Sequence, residues 1–353
     1  MPLELTSAIQ DKFAPHKLDF SQGPVMGFRK IDGVRAGRIH PHFHGRSLDG
    51  FKNTAINAKF AGPEYHGFDG ELTINGILTS IALDRLIEAG QLVVDDPTSS
   101  LCSLTTGLTN RSKPAKGETE LPSNVVWNLF DYLTEETREL EYLQRYECLV
   151  AYVETAKPAH VRVLDFVWIH NEKEAQDWID DCMVKGYEGA IFRNPRALYK
   201  SGRAKAAQGD FWRYKPVTDK DAIVVGLEPA MANNNAATTN SRGRTERSSS
   251  KAGKVAKAQI GVLLCYDPKR DAVIRVPAGC MRIAYREKAW ADQSLVLGHP
   301  IKYSSLDHGE KDEPRQARYI EHRSWADLEK LTPYQQERVA HFTALYASAP
   351  GAV

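Results

Sequence analysis

The sequence has few cysteines and no close pair of them. The five cysteines are scattered along 353 residues without a C-x-x-C motif, at Cys102, Cys148, Cys182, Cys265 and Cys280. Disulfide frameworks and cysteine-based zinc sites need cysteines at short, regular spacings. The composition therefore excludes both, and it predicts a protein of a reducing compartment, the cytoplasm.

Long apolar runs and an excess of charge of either sign are also absent. No run approaches the roughly 18 apolar residues of a membrane-spanning helix, and residues 1–30 lack the basic and then apolar layout of a signal peptide. Lysine and arginine number 46 against 45 aspartate and glutamate, which gives a formal net charge of +1. These features exclude a polycationic chain and an acidic disordered one, and we expect a soluble protein.

The length and apolar content are sufficient for two domains. At roughly 100–200 residues per domain, 353 residues with 42% apolar side chains can form two packed cores. Residues 230–259 interrupt the pattern, because they contain almost no large apolar side chain. They carry one anion, Glu246, and six cations: Arg242, Arg244, Arg247, Lys251, Lys254 and Lys257. This composition predicts a mobile loop, which is either a plain insertion or a basic arm that lies along phosphates.

The segment before residue 216 mixes α and β patterns. Asn75-Gly76, within residues 68–79, predicts a type I′ turn between two strands. Asn171 with Glu174 three residues later predicts the start of an amphipathic helix. Short apolar or β-branched runs predict further strands at residues 148–155, 160–169 and 188–193.

Short strands dominate after the predicted domain boundary, near residues 216–220. The strands are predicted at residues 221–227, 260–266 and 272–277, with a turn at residues 267–271. They indicate a small β-barrel, followed by a helical tail over residues 325–347.

The segment Lys30-Ile31-Asp32-Gly33-Val34-Arg35 has the strongest signal for chemistry. Gly33 permits a tight turn between predicted strands at residues 25–30 and 34–39, which presents Lys30 to a cleft. A lysine amine is nucleophilic only when neutral, which requires burial or nearby positive charge. The predicted positive neighbours are Arg29, Arg35 and Arg38. Alone, the segment favours a charged surface turn over a catalytic site.

Five further fragments follow this lysine in order. They are Gly45-Arg46-Ser47, Phe68-Asp69-Gly70-Glu71-Leu72, Leu129-Phe130-Asp131-Tyr132, Tyr187-Glu188-Gly189-Ala190-Ile191-Phe192-Arg193 and Phe211-Trp212-Arg213-Tyr214-Lys215-Pro216. Alternate residues of a strand share a face, so Glu71 and Lys215 are predicted to point inward around a polyphosphate. Individually, each fragment also has a structural interpretation: Phe130 as a core residue, or Glu188 as the surface partner of Lys185.

Together, the six fragments resemble the nucleotidyltransferase motifs of the ATP-dependent polynucleotide ligases, most closely the short bacteriophage-type DNA ligases. The resemblance spans about residues 25–280. It implies an α+β fold with an ATP-grasp-like adenylation (nucleotidyltransferase) domain of antiparallel sheets over residues 1–218. An OB-fold β-barrel domain that binds nucleic acid is implied over residues 219–353.

The resemblance also implies an enzyme of DNA replication or repair that seals nicks in double-stranded DNA, with ATP and Mg²⁺ or another divalent cation as cofactors. The location is the cytoplasm, that of the host cell if the chain is viral. Nothing in the sequence indicates an oligomer, so we expect a monomer.

The family's residue roles transfer to the matching positions. Lys30 would attack the α-phosphate of ATP to form lysyl-AMP, which passes its AMP to the 5′-phosphate of a nick before the 3′-hydroxyl displaces it. Asp32 would assist a later step, and Glu188 would hold the divalent cation. Arg35 and Arg46 would hold the nucleotide phosphate, the ribose or the 5′-phosphate of the nick. The other implied nucleotide contacts are Glu71 to the ribose hydroxyls, Phe130 to adenine, and Arg213 and Lys215 to the α-phosphate.

The sequence departs from the family pattern in two places. Phe28 stands where a polar residue often contacts adenine, so base recognition is predicted to rest on backbone groups and Phe130. Arg213 stands where many members have lysine, and its flat guanidinium is a different donor from an ammonium group. A basic motif near the C-terminus has only weak counterparts, and none of them is assigned a role: Arg315, Arg318 and Arg323.

A cluster of His40, His42 and His44 also attracts attention, since residues two apart on a strand share a face and three imidazoles can bind a metal. Pro41 interrupts a regular strand and no fourth ligand is evident. A face turned to solvent or DNA is the preferred interpretation.

Other functions remain open at this stage. An NAD-dependent ligase would need a further domain upstream of Lys30, where only 29 residues are present, and this favours ATP. An RNA ligase or an RNA-capping-type nucleotidyltransferase shares the same motifs. A non-catalytic nucleic-acid-binding relative is disfavoured, because Lys30, Glu71, Glu188 and Lys215 are all present.

Overall fold

The computed structural model describes residues 2–9, 12–94, 96, 99–205, 208–306 and 313–347. The chain divides into two units by its contacts. The first comprises residues 1–215 and 240–244, and the second comprises residues 216–239 and 245–353. The fold is mixed α and β, as expected. All five cysteines are free. No helix in the described ranges has the length and apolar character to cross a membrane.

The first unit contains two sheets. Its strands are β1 Val25–Lys30, β2 Val34–Gly37, β3 His44–Gly45, β4 Phe68–Ile74, β5 Val125–Tyr132, β6 Val161–Val163, β7 Phe166–Ile169, β8 Gly189–Arg193 and β9 Phe211–Tyr214. Its α-helices are α1 Thr54–Lys59, α2 Ser80–Glu88, α3 Leu101–Asn110, α4 Tyr142–Ala156 and α5 Glu172–Val184. The sheet orders are β7-β1-β8-β9 and β3-β2-β4-β5-β6. All neighbours are antiparallel except β5 and β6, which are parallel.

Local signals correctly predicted α5. The Asn171 side chain accepts a hydrogen bond from the Glu174 backbone N–H at 2.9 Å and so caps the helix. Ala175, Ile179 and Cys182 form its buried face. This face packs on the first sheet, where Phe192 and Trp212 belong to the same apolar cluster.

The strand predicted at residues 148–155 is wrong, because these residues belong to α4. Its buried residues Tyr142, Arg145, Tyr146 and Leu149 follow the helical spacing of three and four. The apolar run considered alone did not include the upstream half of this pattern, so it resembled a strand. The run at residues 160–169 is likewise two short strands, β6 and β7, which belong to different sheets.

The turn at Asn75-Gly76 is present, with φ angles of +52° and +70°. Both residues of a type I′ turn need positive φ, which asparagine and glycine tolerate best. The predicted second strand is absent, because the chain enters α2 at Ser80 and β4 instead pairs with β2 and β5. The turn therefore ends β4 without forming a hairpin.

The described part of the second unit contains a five-stranded antiparallel sheet, a short two-stranded sheet and two α-helices. Its elements are β10 Thr218–Asn233, β11 Ala237–Thr239, β12 Thr245–Arg247, β13 Lys254–Asp267, β14 Ala272–Pro277, α6 Ile283–Ala291, β15 Pro300–Leu306, β16 Arg315–His322 and α7 Pro333–Ala347. The sheet order is β14-β13-β10-β15-β16. Between the edge strands β14 and β16, no pairing closes a barrel within the ranges that the structure describes.

The two faces of this sheet pack on different helices. Val224, Leu263 and Tyr303 lie in a core that also includes Ala289 of α6. Ile223 and Tyr266 lie in a second cluster with residues of α7. The predicted helical tail is therefore confirmed over Pro333–Ala347, preceded by a 3₁₀ turn at Trp325–Asp327.

Residues 230–259, where a mobile loop was predicted, contain paired strands. β10 and β13 continue into this segment and pair as far as Asn233 and Lys254. β11 and β12 then form a short two-stranded sheet. These strands are held by backbone hydrogen bonds, which the polar side chains of the segment do not predict.

Candidate active site

Lys30, Glu188 and Lys215 meet at one edge of the first sheet. Lys30 is the last residue of β1 and pairs with Gly189, the first residue of β8. The neighbouring strand β9 ends at Tyr214, opposite Ala190, so Lys215 follows directly beside them. The Lys30 and Lys215 ammonium groups each form an ion pair with a different carboxylate oxygen of Glu188. Pairing between strands thus brings together residues from three separate sequence fragments.

Gly189 allows this close arrangement of strands. A Cβ atom at this position would lie 2.2 Å from the Tyr214 carbonyl oxygen, which is far inside van der Waals contact. The Glu188 backbone N–H also donates to the Lys30 carbonyl oxygen at 2.9 Å. A side chain at position 189 would therefore separate the strands that carry Lys30 and Lys215.

The charge around Lys30 is the opposite of what the sequence predicted. Burial lowers the pKa of Lys30, but the carboxylates of Glu188, Glu71 and Asp32 outweigh it, and the net pKa is raised. Lys30 is therefore held as an ammonium ion in the free protein. Positive neighbours were predicted to produce a neutral amine, and that prediction is wrong.

The three arginines expected to surround Lys30 have other partners. Arg29 lies over the Trp178 ring, 5.1 Å from its centroid, with Asp181 3.8 Å away. Arg38 donates to the backbone carbonyls of His40 and Ala61. Their guanidinium groups are thus directed to rings and carbonyls.

Arg35 forms a bidentate ion pair with Asp69. Its Nε and Nη2 atoms each lie 2.7 Å from a different Asp69 carboxylate oxygen, and Nη2 also donates to the Thr6 carbonyl. The guanidinium carbon lies 4.5 Å from the centroid of the Phe130 ring. Both residues were predicted as nucleotide contacts, and the structure brings them together in cation–π contact.

Glu71 and Asp32 complete the group of carboxylates near Lys30. Gly33 allows β4 to approach, since a Cβ atom there would lie 2.3 Å from the Leu72 carbonyl oxygen. Burial raises the pKa of Glu71 to about 7, even though Lys30 and Arg35 attract its negative charge. Asp32 is buried, and its Oδ2 atom accepts a hydrogen bond from the Cys102 backbone N–H at 3.3 Å.

Replacement of Glu71 by glutamine is expected to stabilise the protein above neutral pH. Because the folded-state pKa is raised, the stabilising contribution of the protonated form is complete below the unfolded-state pKa and is lost as the pH rises through about 7. At about pH 8 the free energy of unfolding of Glu71→Gln should exceed that of the wild type, by on the order of 1–3 kcal/mol. Denaturant unfolding at several pH values measures this difference.

The difference should disappear near pH 4, where both proteins carry an uncharged side chain at position 71. Glu147→Gln, which alters an exposed glutamate of α4, serves as the control and should show little change at either pH. A Glu71→Gln protein less stable than the wild type at pH 8 would contradict the expected effect of burial.

A second group of charges consists of arginines. Burial and the like charges of Arg35, Arg242, Arg213 and Arg203 lower the pKa of Arg46. Several cations in mutual repulsion form a site that favours anions. Arg46 and Arg213 were predicted as phosphate contacts, whereas Arg203 was missed because it lies between the recognised fragments and has no local signal.

The histidine cluster does not have the geometry of a metal site. The ring centroids of His40 and His42 lie 5.2 and 5.8 Å from that of His44. Each ring has a hydrogen bond to a backbone carbonyl, those of Leu3, Leu48 and Gly45 respectively. Burial lowers the pKa of His44 to about 4, which keeps it neutral. The preferred surface interpretation is also wrong for His44, because its side chain is fully buried.

Phe28, which stands two residues before Lys30 where the family pattern often has a polar residue, is a core residue. Its ring packs against Tyr142, Tyr146 and Phe166, with centroids about 6 Å apart. It presents no polar group for a base. Among the three arginines that only weakly match the basic C-terminal motif, Arg323 is paired with Asp221 at 3.1 Å.

Three carboxylates near Lys30 supply the hard oxygen donors that Mg²⁺ prefers. Both Glu188 oxygens are already paired with ammonium groups. No three acidic, histidine or cysteine side chains are arranged to hold an ion in the described part of the chain. This fits Mg²⁺ bound through one or two carboxylates with phosphate oxygens completing the coordination, and it does not fit a preformed cage.

Comparison with known proteins identifies the family that part of the chain resembles. Residues 72–213 match the family model of the ATP dependent DNA ligase domain. The match confirms the resemblance to ATP-dependent DNA ligases predicted from the motifs. No curated protein sequence matches the chain.

Solved structures of similar fold include three DNA ligases. One is a Lig E DNA ligase, with 15% identity, coverage of 92% of this chain and 100% of that chain, and a TM-score of 0.62. Another is the Chlorella virus DNA ligase-adenylate, with 18% identity, coverage of 92% and 99%, and a TM-score of 0.44. The third is the ATP-dependent DNA ligase from bacteriophage T7 in complex with ATP, with 14% identity, coverage of 91% and 98%, and a TM-score of 0.44. The Lig E similarity shows a shared fold.

Proposed function

We propose that this protein is an ATP-dependent DNA ligase that seals nicks in double-stranded DNA through a lysyl-AMP at Lys30. The observation that supports it most strongly is the placement of Lys30 and Lys215 on either side of the buried Glu188 carboxylate. This arrangement, next to residues that match a ligase domain, provides a nucleophile with a cation beside it to neutralise phosphate charge.

The proposed chemistry consists of three phosphoryl transfers. The Lys30 amine forms an N–P bond to the α-phosphorus of ATP as the bond to pyrophosphate breaks, and the ammonium proton passes to solvent or to a neighbouring carboxylate. The AMP then moves to the 5′-phosphate of a nick. Finally the 3′-hydroxyl attacks this phosphate, AMP leaves and the strand is closed. Splitting one difficult reaction through a covalent adduct lowers each barrier.

Positioning and charge neutralisation dominate such transfers, and the arginine group suits that task. We assign Arg46, Arg213 and Arg203 to phosphate oxygens of the nucleotide or the nick, and Lys215 to the α-phosphate. Glu71 binds the ribose hydroxyls.

Phe130 stacks on the base, and Arg35 holds the ring of Phe130. This revises the direct phosphate contact first expected of Arg35, since two of its nitrogen atoms already bind Asp69.

The divalent cation is proposed to bind at Glu188 with assistance from Asp32. A bound Mg²⁺ supplies positive charge that stabilises the phosphate oxygens. Glu188, with Asp32 beside it, would hold the cation. The Glu188 carboxylate pairs with the Lys30 and Lys215 ammonium groups in the free protein, and it keeps both side chains at the position where the phosphates would bind.

For the domain organisation, we propose that residues 1–218 are the adenylation domain and residues 219–353 are an OB-fold-like domain that binds nucleic acid. Five antiparallel strands, the number found in OB folds, support the second assignment. A ligase must recognise the shape of a nick and not its base sequence, which backbone contacts achieve.

The basic hairpin at residues 234–253 is expected to contact phosphates. Replacing these residues with Asn-Gly joins β10 to β13 where Asn233 and Lys254 are paired, and it removes four cations and one anion. Self-adenylation should be unchanged, but nick affinity should fall, and the slope of log K against log salt should decrease by about 0.9 for each lost phosphate contact.

A matched variant keeps the hairpin but replaces Arg242, Arg244, Arg247 and Lys251 with glutamine. If the positive charges of the hairpin contact phosphates, the slope of log K against log salt should decrease by the same amount in both variants. A nicked-duplex binding titration at several salt concentrations measures this slope. A slope equal to that of the wild type in both would assign the hairpin to a structural role only.

The decisive experiment for the whole function is sealing of nicked duplexes with deoxyribose or ribose on each side of the nick. We expect sealing of the DNA nick in the presence of ATP and Mg²⁺. Sealing of the ribose-containing nick alone would favour an RNA ligase. Self-adenylation that transfers AMP to no nick would favour a capping-type nucleotidyltransferase, and absence of both activities would favour a non-catalytic relative.

A further inference from the structure

The strand that carries Phe130 contains a β-bulge at this residue. Asp131 pairs with Asp69, and the next pair along the strands is Leu129 with Gly70, so Phe130 has no partner in β4. A bulge inserts one residue, bends the strand and redirects a side chain. Here the bulge interrupts the alternation of side chains between the two faces of β5. The interruption falls at Phe130, to which we assign base stacking.

A fully buried ion pair lies directly beside the bulge. Arg145 Nε and Nη2 donate to the two carboxylate oxygens of Asp131 at 2.8 and 3.2 Å, and both side chains are fully buried. Arg193 Nη2 lies 3.4 Å from the same carboxylate. Replacing such a pair with apolar residues is often neutral or stabilising, so its presence indicates a demand on position beyond stability.

One face of α4 contacts both residues of the bulge. Tyr142 and Arg145 are three residues apart and therefore neighbours on the helix surface. The Tyr142 hydroxyl donates to the Phe130 carbonyl oxygen at 2.7 Å, while Arg145 binds the Asp131 side chain. The Phe130 carbonyl and the Asp131 side chain are thus both attached to one helix.

The Phe130 ring is fixed from the other direction by Arg35. Asp69, the residue opposite the bulge, holds the Arg35 guanidinium 4.5 Å from the ring centroid. Two ion pairs therefore define the position of the ring: Asp131–Arg145 through the backbone, and Asp69–Arg35 through the ring.

We propose that Arg145 is a positioning residue for the nucleotide, which acts through Asp131 and the bulge to hold Phe130 in its base-stacking position. The proposal rests on the proposed function, because it assumes that Phe130 stacks on the base of ATP. The Arg145 side chain is fully buried and bound to Asp131, so its effect on the nucleotide would be transmitted through that residue.

The test uses the double variant Asp131→Asn/Arg145→Met, which removes both charges of the ion pair. Arg193, 3.4 Å from the Asp131 carboxylate in the wild type, keeps the amide oxygen of the introduced asparagine as an acceptor. The KM for ATP in self-adenylation should rise on the order of tenfold while kcat changes little, since an interaction common to the ground and transition states is lost. Arg145→Lys, which keeps the charge but loses the two-pronged hydrogen bonding, should give an intermediate KM.

Coupling to the ring is tested in a Phe130→Ala background. If Arg145 acts through Phe130, the double variant should raise KM no further there. The ATP-induced rise in melting temperature, measured in a Lys30→Ala background that cannot be adenylated, should fall in parallel and reports binding without turnover.

Leu149→Ala provides the structural control, because Leu149 is buried on the same helix and contacts a different apolar cluster. It should lower the melting temperature without raising KM. An unchanged KM in the folded double variant, or an undiminished effect in the Phe130→Ala background, would overturn the proposal. A wild-type protein that is never adenylated would instead refute the proposed function.

Discussion

Replacement of Lys30 by alanine is expected to abolish covalent labelling of the protein by ATP with a radioactive α-phosphate. The loss should be on the order of a thousandfold or more, because no other amine replaces the nucleophile of a covalent route. Lys30→Arg should be equally inactive, since a guanidinium group keeps its proton and cannot attack phosphorus. Denaturing electrophoresis after incubation with Mg²⁺ and labelled ATP measures the adduct.

A lysine elsewhere in the same unit provides the control. Lys185, at the end of α5, is paired with Asp181 on the surface, and Lys185→Ala should be labelled like the wild type. Peptide mapping by mass spectrometry should place AMP on the peptide that contains position 30. Label that persists in Lys30→Ala would refute the assignment of the nucleophile.

The pH dependence of labelling follows from the carboxylates around Lys30. Because they raise its pKa in the free protein, the rate at low Mg²⁺ should increase with pH into the alkaline range as the ammonium group loses its proton.

Replacement of Glu188 by glutamine is expected to lower the rate of self-adenylation on the order of 100-fold and to raise the Mg²⁺ concentration needed for half-maximal rate. The amide is nearly isosteric with the carboxylate but is a weak ligand for a hard cation. The same change removes the carboxylate that pairs with both Lys30 and Lys215. The pKa of Lys30 should therefore fall, and the alkaline limb of the pH–rate profile should move to lower pH.

The two effects change the rate of self-adenylation in opposite directions. Loss of the metal ligand lowers the rate, whereas a lower pKa of Lys30 increases the fraction of neutral amine. A ligand role alone predicts a higher Mg²⁺ requirement, and a role in charge alone predicts a shifted pH profile. Asp181→Asn, which removes the carboxylate from a surface lysine pair, is the matched control and should change neither measurement. An unaltered Mg²⁺ requirement in Glu188→Gln would refute the metal assignment.

The stability of Glu188→Gln provides a third measurement. Attraction by Lys30 and Lys215 lowers the pKa of Glu188 despite its burial, so its stabilising contribution is present above the unfolded-state pKa and is lost as the pH falls through the folded-state pKa. The variant should be less stable than the wild type at neutral pH and should approach it in acid.

Several features were predictable from sequence because they depend on neighbours along the chain. The Asn171 cap, the positive-φ turn at Asn75-Gly76 and β1 at Val25–Lys30 all follow from local side-chain and backbone preferences. The order of the six fragments was sufficient to indicate a ligase-type domain, now matched over residues 72–213.

Other features were not accessible because they depend on packing between distant segments. Residues 148–155 have strand-like composition, and only the buried face that begins at Tyr142 makes them helical. In the polar segment after residue 230, β10 and β13 are paired through their backbones. The side-chain composition of the segment gives no signal for this pairing.

The sequence alone indicated most of the ionisable and aromatic residues proposed for the site, because their types and order along the chain are themselves the signal, while Arg203 was recognised only in the structure. Only the tertiary structure decided how their charges act on one another. It surrounded Lys30 with carboxylates where arginines were expected, and it directed Arg35 to Asp69 and Phe130. The physical reason is that electrostatic interactions depend on distance and burial, and strand register and a single bulge set both for residues more than 100 positions apart.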